Sequence, residues 1–402
     1  MVDPLFAKGL VLHGAGDPLV LASLDWCEIR NESYEHWRET LAAAAGTTKD
    51  RVLVSCVHQH DAPYVDAVAQ RLLRENNVEG DLCDLESNED AIQKVAASIR
   101  AGIQARRPIT SIGIGRGKTE QLVSNRRYVT DVGTASWGRT SATRDPALRA
   151  KPPGLCDPWV HALSFWDGDE AVAAVSAFSI HPMSYYGDGD TSADFVGMAR
   201  SRMQKDTPGV MQIYVSGCSG DTIAGIYNDG SPEMRPVLAD RLYQGMAAAW
   251  ESTERQPIDR LDFRSASMRL QPRTSPGFSP DEMRAILADA SKSFRERYPA
   301  ALGLSWRESF DAGHAIDVPC IDFGSTLLVL LPAESFVQYQ LWAQELRPDA
   351  MVLAMGYGEC APGYIPTAKD EADGYDDHYS WIAFPECEPT IRAALREALA
   401  AG

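Results

Sequence analysis

The chain lacks a close-spaced cysteine pair: Cys27, Cys56, Cys83, Cys156, Cys218, Cys320, Cys360 and Cys387 are scattered through 402 residues, none at C-x-x-C spacing. That excludes a zinc knuckle or a dithiol redox motif, and the cysteines read as buried thiols in a reducing compartment. Positive charge is scarce too. Lys and Arg number 38 against 56 Asp and Glu, a net charge of −18 with a pI near 4.9, which argues against nucleic acid and anionic lipid as partners. No uncharged apolar run approaches the ~20 residues of a transmembrane segment. The stretch Met1 to Lys8 has no basic region ahead of an apolar core, so a cytoplasmic protein is expected, or a secreted or periplasmic one if a leader has been removed. Neither a Gly-rich phosphate cradle nor a Gly-x-Ser-x-Gly elbow occurs, which sets aside nucleotide-binding and α/β-hydrolase readings.

What is present suits a large catalytic unit. Hydrophobic residues make up 45% of the chain, enough to bury a full core, and residues 1–402 read as a single domain without repeats. Strands are expected at Leu19 to Trp26, Arg51 to Cys56, Met211 to Val215, Ile316 to Phe323, Thr326 to Leu331 and Met351 to Ala354. Helices are expected from Ser33 to Ala45 with Gly46 as the stop, from a capping box at Ser87 to Asp90 as far as Arg106, and over Asp194 to Lys205, Pro232 to Glu251, Pro280 to Arg297, Glu334 to Leu346 and Glu388 to Ala400. Asp167-Gly168-Asp169-Glu170 between two apolar runs, Trp159 to Trp166 and Ala171 to Ile180, signals a hairpin. The fold class is therefore α/β with mixed β-sheets flanked by helices. Gly138 to Pro158, rich in Arg, Pro, Ser and Thr, reads as a long surface loop.

The most informative feature is Val57-His58-Gln59-His60 at the end of a β-branched strand. A strand's two-residue period points both imidazoles the same way, as two nitrogen ligands of one metal require. The same pair also fits hydrogen-bonded structural histidines. Later strand ends add candidates: His181 before Pro182, Glu334 after Pro332, and Tyr364 in the Gly363-to-Thr367 loop. Imidazole plus carboxylate is the donor set of a catalytic zinc. Taken singly, Glu334 reads as a helix N-terminal acid and Tyr364 as a loop anchor. Asp188, Asp190 and Asp194 lack the glycine and terminal glutamate of an EF-hand, and read as a polar loop with Asp194 capping a helix. Asp25 reads as a support for a metal-directed histidine. His13, His36, His161, His314 and His378 read as structural or surface residues, His378 with an option on the pocket lining.

The series Val57-His58-Gln59-His60-Asp61-Ala62-Pro63, Asn125-Arg126-Arg127, Phe178-Ser179-Ile180-His181-Pro182, Ser216-Gly217-Cys218-Ser219-Gly220-Asp221, Pro332-Ala333-Glu334 and Gly363-Tyr364-Ile365-Pro366-Thr367 resembles the catalytic domain of the neutral/alkaline non-lysosomal ceramidases, in order and over nearly the whole chain. The resemblance implies a neutral-ceramidase-like catalytic domain, zinc on His58, His181, Glu334 and Tyr364, and His60 and Arg126 acting on the substrate. It also exposes departures. The family's nucleophilic serine falls at Ile223, which cannot attack a carbonyl, so either metal-activated water does the chemistry or the substrate is not a ceramide. Asp61 adds a carboxylate beside His60.

The leading expectation is a zinc-dependent hydrolase of an amide or ester bond in a soluble, small-molecule substrate. His60 or Asp61 would move the proton, Arg126 would offset oxyanion or substrate-carboxylate charge, and Tyr364 would ligate or donate a hydrogen bond. Two alternatives stay open: a zinc-dependent lyase or hydrolase acting on an acidic sugar or oligosaccharide, and a non-catalytic metal-binding relative of ceramidases.

Overall fold

The computed structural model describes residues 2–185 and 190–400. Asp188, in the polar loop read from the sequence, lies outside the described residues.

Three mixed sheets organise the chain, each containing one parallel strand pair. Leu19–Leu24 runs parallel to Val52–Cys56, with Ala7–Leu12 antiparallel on the far side of the first strand. Glu170–Phe178 runs parallel to Met211–Ser216 and antiparallel to Trp159–Asp167, the expected hairpin, whose other neighbour is Ser111–Lys118. Thr326–Leu330 runs parallel to Met351–Met355 and antiparallel to Ile316–Asp322. Leu21, Leu53, Val175, Ile213, Leu328 and Leu353, drawn from all three parallel pairs, belong to one buried apolar cluster. Burial on both faces explains why these strands read as continuous apolar runs rather than alternating ones.

That packing brings six strand ends together. Cys56 N–H donates to the Tyr357 carbonyl (3.0 Å), Gly356 N–H to the Ser216 carbonyl (2.8 Å) and Gly217 N–H to the Phe178 carbonyl (2.9 Å), while Ser216 Oγ donates to the Val57 carbonyl at 2.7 Å. The carboxyl ends of parallel strands from three sheets thus meet in one place, where open α/β sheets gather their ligands.

Several local expectations are corrected. The helix expected from Pro280 to Arg297 is two, Pro280–Ala288 and Phe294–Asp311. Each opens on its own capping box, Ser279 with Glu282 and Ser293 with Glu296, and that local bonding breaks the run,. The helix expected to start at Ser87 is capped by Asp84 and spans Leu85–Gln104. Glu334 does not open a helix: Glu334–Ser335 pairs in parallel with Tyr364–Ile365, with Glu334 opposite Tyr364. The helix begins after it, at Val337–Leu346. Among the described residues no helix is long and apolar enough to cross a membrane.

Candidate metal centre and active site

The His-x-His segment does not behave as a strand. The strand stops at Cys56, and His58 takes a left-handed backbone at φ 69°, so the two-residue period no longer applies. His58 is buried and His60 exposed. Their rings converge all the same, because both Nε2 atoms meet His181: 3.2 Å from His58 and 2.8 Å from His60.

Each strand end contributes to what surrounds these nitrogens. His58 Nδ1 donates to the Cys27 carbonyl at 2.9 Å, from the end of the Leu19–Leu24 strand. His181 Nδ1 faces the Ser219 carbonyl at 3.3 Å, beyond the end of Met211–Ser216. A carbonyl only accepts, so both Nδ1 atoms carry the hydrogen and both Nε2 atoms present lone pairs. Two lone pairs 3.2 Å apart repel unless a proton or a cation stands between them. Glu334 adds an anion at the same point, its Oε2 3.3 Å from His58 Nε2 and 3.9 Å from His181 Nε2. That oxygen is buried and has no hydrogen-bond partner. Two groups of donor atoms here are close enough to hold a cation, His58 with His60 and His181, and His58 with Glu28 and Glu334; His58, His181 and Glu334, whose atoms meet at one point, are a donor set of the kind that holds a divalent cation.

The electrostatics agree with a shared positive charge at this point. Burial pushes His58 down, but the Cys27 thiol and the Glu334 carboxylate outweigh it and hold the imidazole well above the ordinary histidine range. Burial, His58 and Arg126 hold His181 well below that range. Burial pushes Glu334 up against the pull of His58. In a metal-free site the proton on His58 fills the place a cation competes for. His60 is also lowered, by desolvation first and then by the charges of His58 and Arg126.

Arg126 and Tyr364 stand on one side. Arg126 Nε donates to the Gly220 carbonyl at 3.0 Å, and its Nη2 lies 3.4 Å from the Tyr364 hydroxyl. The Tyr364 ring lies nearly parallel to His181, with centroids 6.5 Å apart. Burial first, then the Glu334 charge, keeps the Tyr364 phenol well above its ordinary range. Asp61 is held elsewhere, its Oδ2 3.1 Å from Arg235. Asp25 does not support a histidine: it forms a bidentate pair with Arg200 at 2.5 and 2.6 Å. Asp194 begins the Asp194–Asp206 helix and accepts from Ser184 N–H at 3.1 Å. His36 pairs with Glu89, His161 with Asp157, and His378 is mostly exposed. Ile223 is fully buried in a two-residue strand opposite Ser124.

Sequence reasoning passed over Tyr357. Its ring stacks on His58 at 4.2 Å and 16°, and its hydroxyl bonds Ser219 Oγ at 2.6 Å and lies 3.5 Å from His181 Nδ1. It holds both imidazoles from behind. The signal was a glycine-flanked tyrosine, Gly356-Tyr357-Gly358, right after an apolar strand. Tyr357 (φ 56°) also shares with His58 (φ 69°) and Ala333 (φ 48°) a left-handed backbone that non-glycine residues avoid. Each costs ~1–2 kcal/mol, and the three mark the strand ends that deliver Tyr357, His58 and Glu334, a concentration of strain typical of functional sites.

No protein-family model matches the chain, and no curated protein matches it in sequence. Solved structures do match in shape, among them a ceramidase complexed with C2, at TM-score 0.70 and 17% identity over 98% of this chain and 69% of that one, and neutral ceramidase from Pseudomonas aeruginosa, at TM-score 0.67 and 17% identity over 98% and 68%. The fold is ceramidase-like.

Proposed function

We propose that residues 1–402 form one catalytic domain, a zinc-dependent hydrolase of an amide or ester bond in a soluble substrate. The observation that carries the reading is the pair of Nε2 lone pairs, each fixed by a carbonyl behind its ring, facing one another beside a buried, unpartnered carboxylate oxygen. His58, His181 and Glu334 would hold the ion, with Tyr364 beside them to ligate or to donate a hydrogen bond. Bound there, zinc would lower the pKa of water to ~7 and polarise the substrate carbonyl.

The chain's own residues do the rest. His60, held neutral by desolvation and by the neighbouring charges, accepts the proton of the attacking water at Nε2 as oxygen bonds to the carbonyl carbon. It returns that proton to the departing nitrogen or oxygen as the C–N or C–O bond breaks. Tyr364 donates a hydrogen bond from the other side, where negative charge develops. Asp61, paired with Arg235, anchors the segment that carries His60. With Ile223 at the family's serine position no side-chain nucleophile is supplied there, so ceramide is not the expected substrate.

The test is product analysis after incubating the zinc-loaded protein with a panel of N-acyl amides, carboxylic esters, uronate oligosaccharides and a long-chain ceramide. Free acid plus amine or alcohol supports the reading. An unsaturated, ultraviolet-absorbing product from the uronates would replace it with elimination, and robust ceramide turnover would show that the Ile223 departure was misread.

A further inference from the structure

Arg126 forms no ion pair among the described residues, and Glu334 acts on its charge only from beyond ion-pair distance. Among the described residues no carboxylate lies within ion-pair distance of its guanidinium, although the chain carries 18 excess negative charges. Four arginines buried more deeply than Arg126 are each neutralised: Arg30 by Glu28 at 2.6 Å, Arg38 by Asp317 at 2.6 Å, Arg200 by Asp25 at 2.5 Å and Arg235 by Asp61 at 3.1 Å. Arg139 and Arg297 have no carboxylate partner among the described residues but turn guanidinium N–H groups to backbone carbonyls, Nη1 and Nη2 of the first to those of Asn125, Pro152 and Pro153, and Nε and Nη2 of the second to those of Leu287 and Asn76. Arg126 differs from both groups. Only its Nε reaches a carbonyl; Nη2 faces a tyrosine hydroxyl and Nη1 has no partner.

The guanidinium is nonetheless held in place. Its backbone N–H donates to the Asp221 carbonyl at 2.7 Å, and Nε fixes the plane against Gly220. The plane packs near the Tyr364 ring at 5.7 Å, and the Arg126 charge is felt at His60, His181 and Glu334. A fixed, half-buried fork with its outer edge free is the geometry that receives a carboxylate in two parallel hydrogen bonds. Its neighbour Arg127 is taken by Asp373 at 2.7 Å. One free positive charge suits a monoanion better than a phosphate.

We propose that Arg126 receives a carboxylate that the substrate carries before reaction, so that the substrate is an anionic amide or ester, with an acid group a few bonds from the scissile carbonyl, as in an N-acyl amino acid. The inference rests on the metal-hydrolase reading, and its test separates the two. Succinic monohydroxamate and butyrohydroxamate have equal length and the same chelating head; only the first ends in a carboxylate. Their dissociation constants for the zinc-loaded protein are measured by calorimetry, for wild type, Arg126→Met and Arg126→Lys.

The carboxylated probe should bind at least about tenfold tighter to wild type, the scale of a charge-assisted bidentate contact. That ratio should fall to about one in Arg126→Met and be partly kept in Arg126→Lys. Butyrohydroxamate should bind all three proteins alike. Equal binding of the two probes to wild type, or a preference that survives in Arg126→Met, overturns the anion site and leaves the metal reading standing. Failure of both probes to bind overturns the metal reading and this inference with it.

Discussion

Zinc loading should separate His58, His181 and Glu334 from His60, although all lie in one cluster. Ligands of a tetrahedral ion at ~2.0–2.1 Å stand ~3.3 Å apart. The separations of 3.2 Å between the His58 and His181 nitrogens and 3.3 Å from His58 to Glu334 Oε2 are close to that edge and the 3.9 Å from His181 to the same oxygen is longer, whereas the 2.8 Å between His60 and His181 is a hydrogen-bond length. An ion present at 100–1,000 times its dissociation constant stabilises the native state by ~2.7–4.1 kcal/mol. For 402 residues, an unfolding entropy of ~2.1 cal/mol/K per residue turns this into a rise in Tm of about 3–5 °C. The assay pairs elemental analysis with thermal melts in zinc and in chelator. Wild type should hold about one zinc per chain and show the rise; His58→Ala, His181→Ala and Glu334→Gln should lose both. His60→Ala should keep both. Full zinc occupancy in His58→Ala or His181→Ala would refute the lone-pair argument, and zinc lost from His60→Ala would make His60 a ligand.

Two further outcomes follow from other parts of the site and its surroundings. With zinc retained, His60→Ala should lower turnover by ~10²–10⁴, the usual effect of losing a general base; unchanged turnover on a substrate found in the product panel would move the proton transfer to another group. Glu359 accepts backbone N–H groups of Asn31 and Ala361, both at 2.9 Å on Oε1, and burial pushes its carboxyl up to about 8. Its folded pKa lies above the ordinary ~4.3, so the ionised form is penalised only in the fold, and wild-type stability should decline as pH rises from about 4.5 through 8, then level off. At 1.36 kcal/mol per unit the decline is on the order of 3–5 kcal/mol at most. Glu359→Gln keeps an oxygen for both N–H groups and should remove that decline, as read by urea melts at pH 5, 7 and 9; an equal offset from wild type at all three would show that Glu359 does not titrate there.

The sequence by itself determined that His58, His181 and Glu334 each follow an apolar strand, that part of the sheet is a hairpin, and that the architecture is mixed α/β, because each of these is written in short-range periodicity and turn chemistry. It also carried the order of motifs that resembles the ceramidases. It did not determine how His58 is presented, since a left-handed φ is imposed by the packing of strand ends and not by His58's own preference. Nor did it determine partners: Asp25 meets Arg200 and Asp61 meets Arg235 across 175 and 174 positions of chain, and local spacing carries no information at that range. Glu334 shows the division most plainly. Its sequence neighbourhood reads as a helix start, but the parallel register with Tyr364 holds it in a strand beside the histidines. Three sheets had to close on a common apolar core before six strand ends, each unremarkable alone, could bring two imidazole lone pairs and a buried carboxylate to one point.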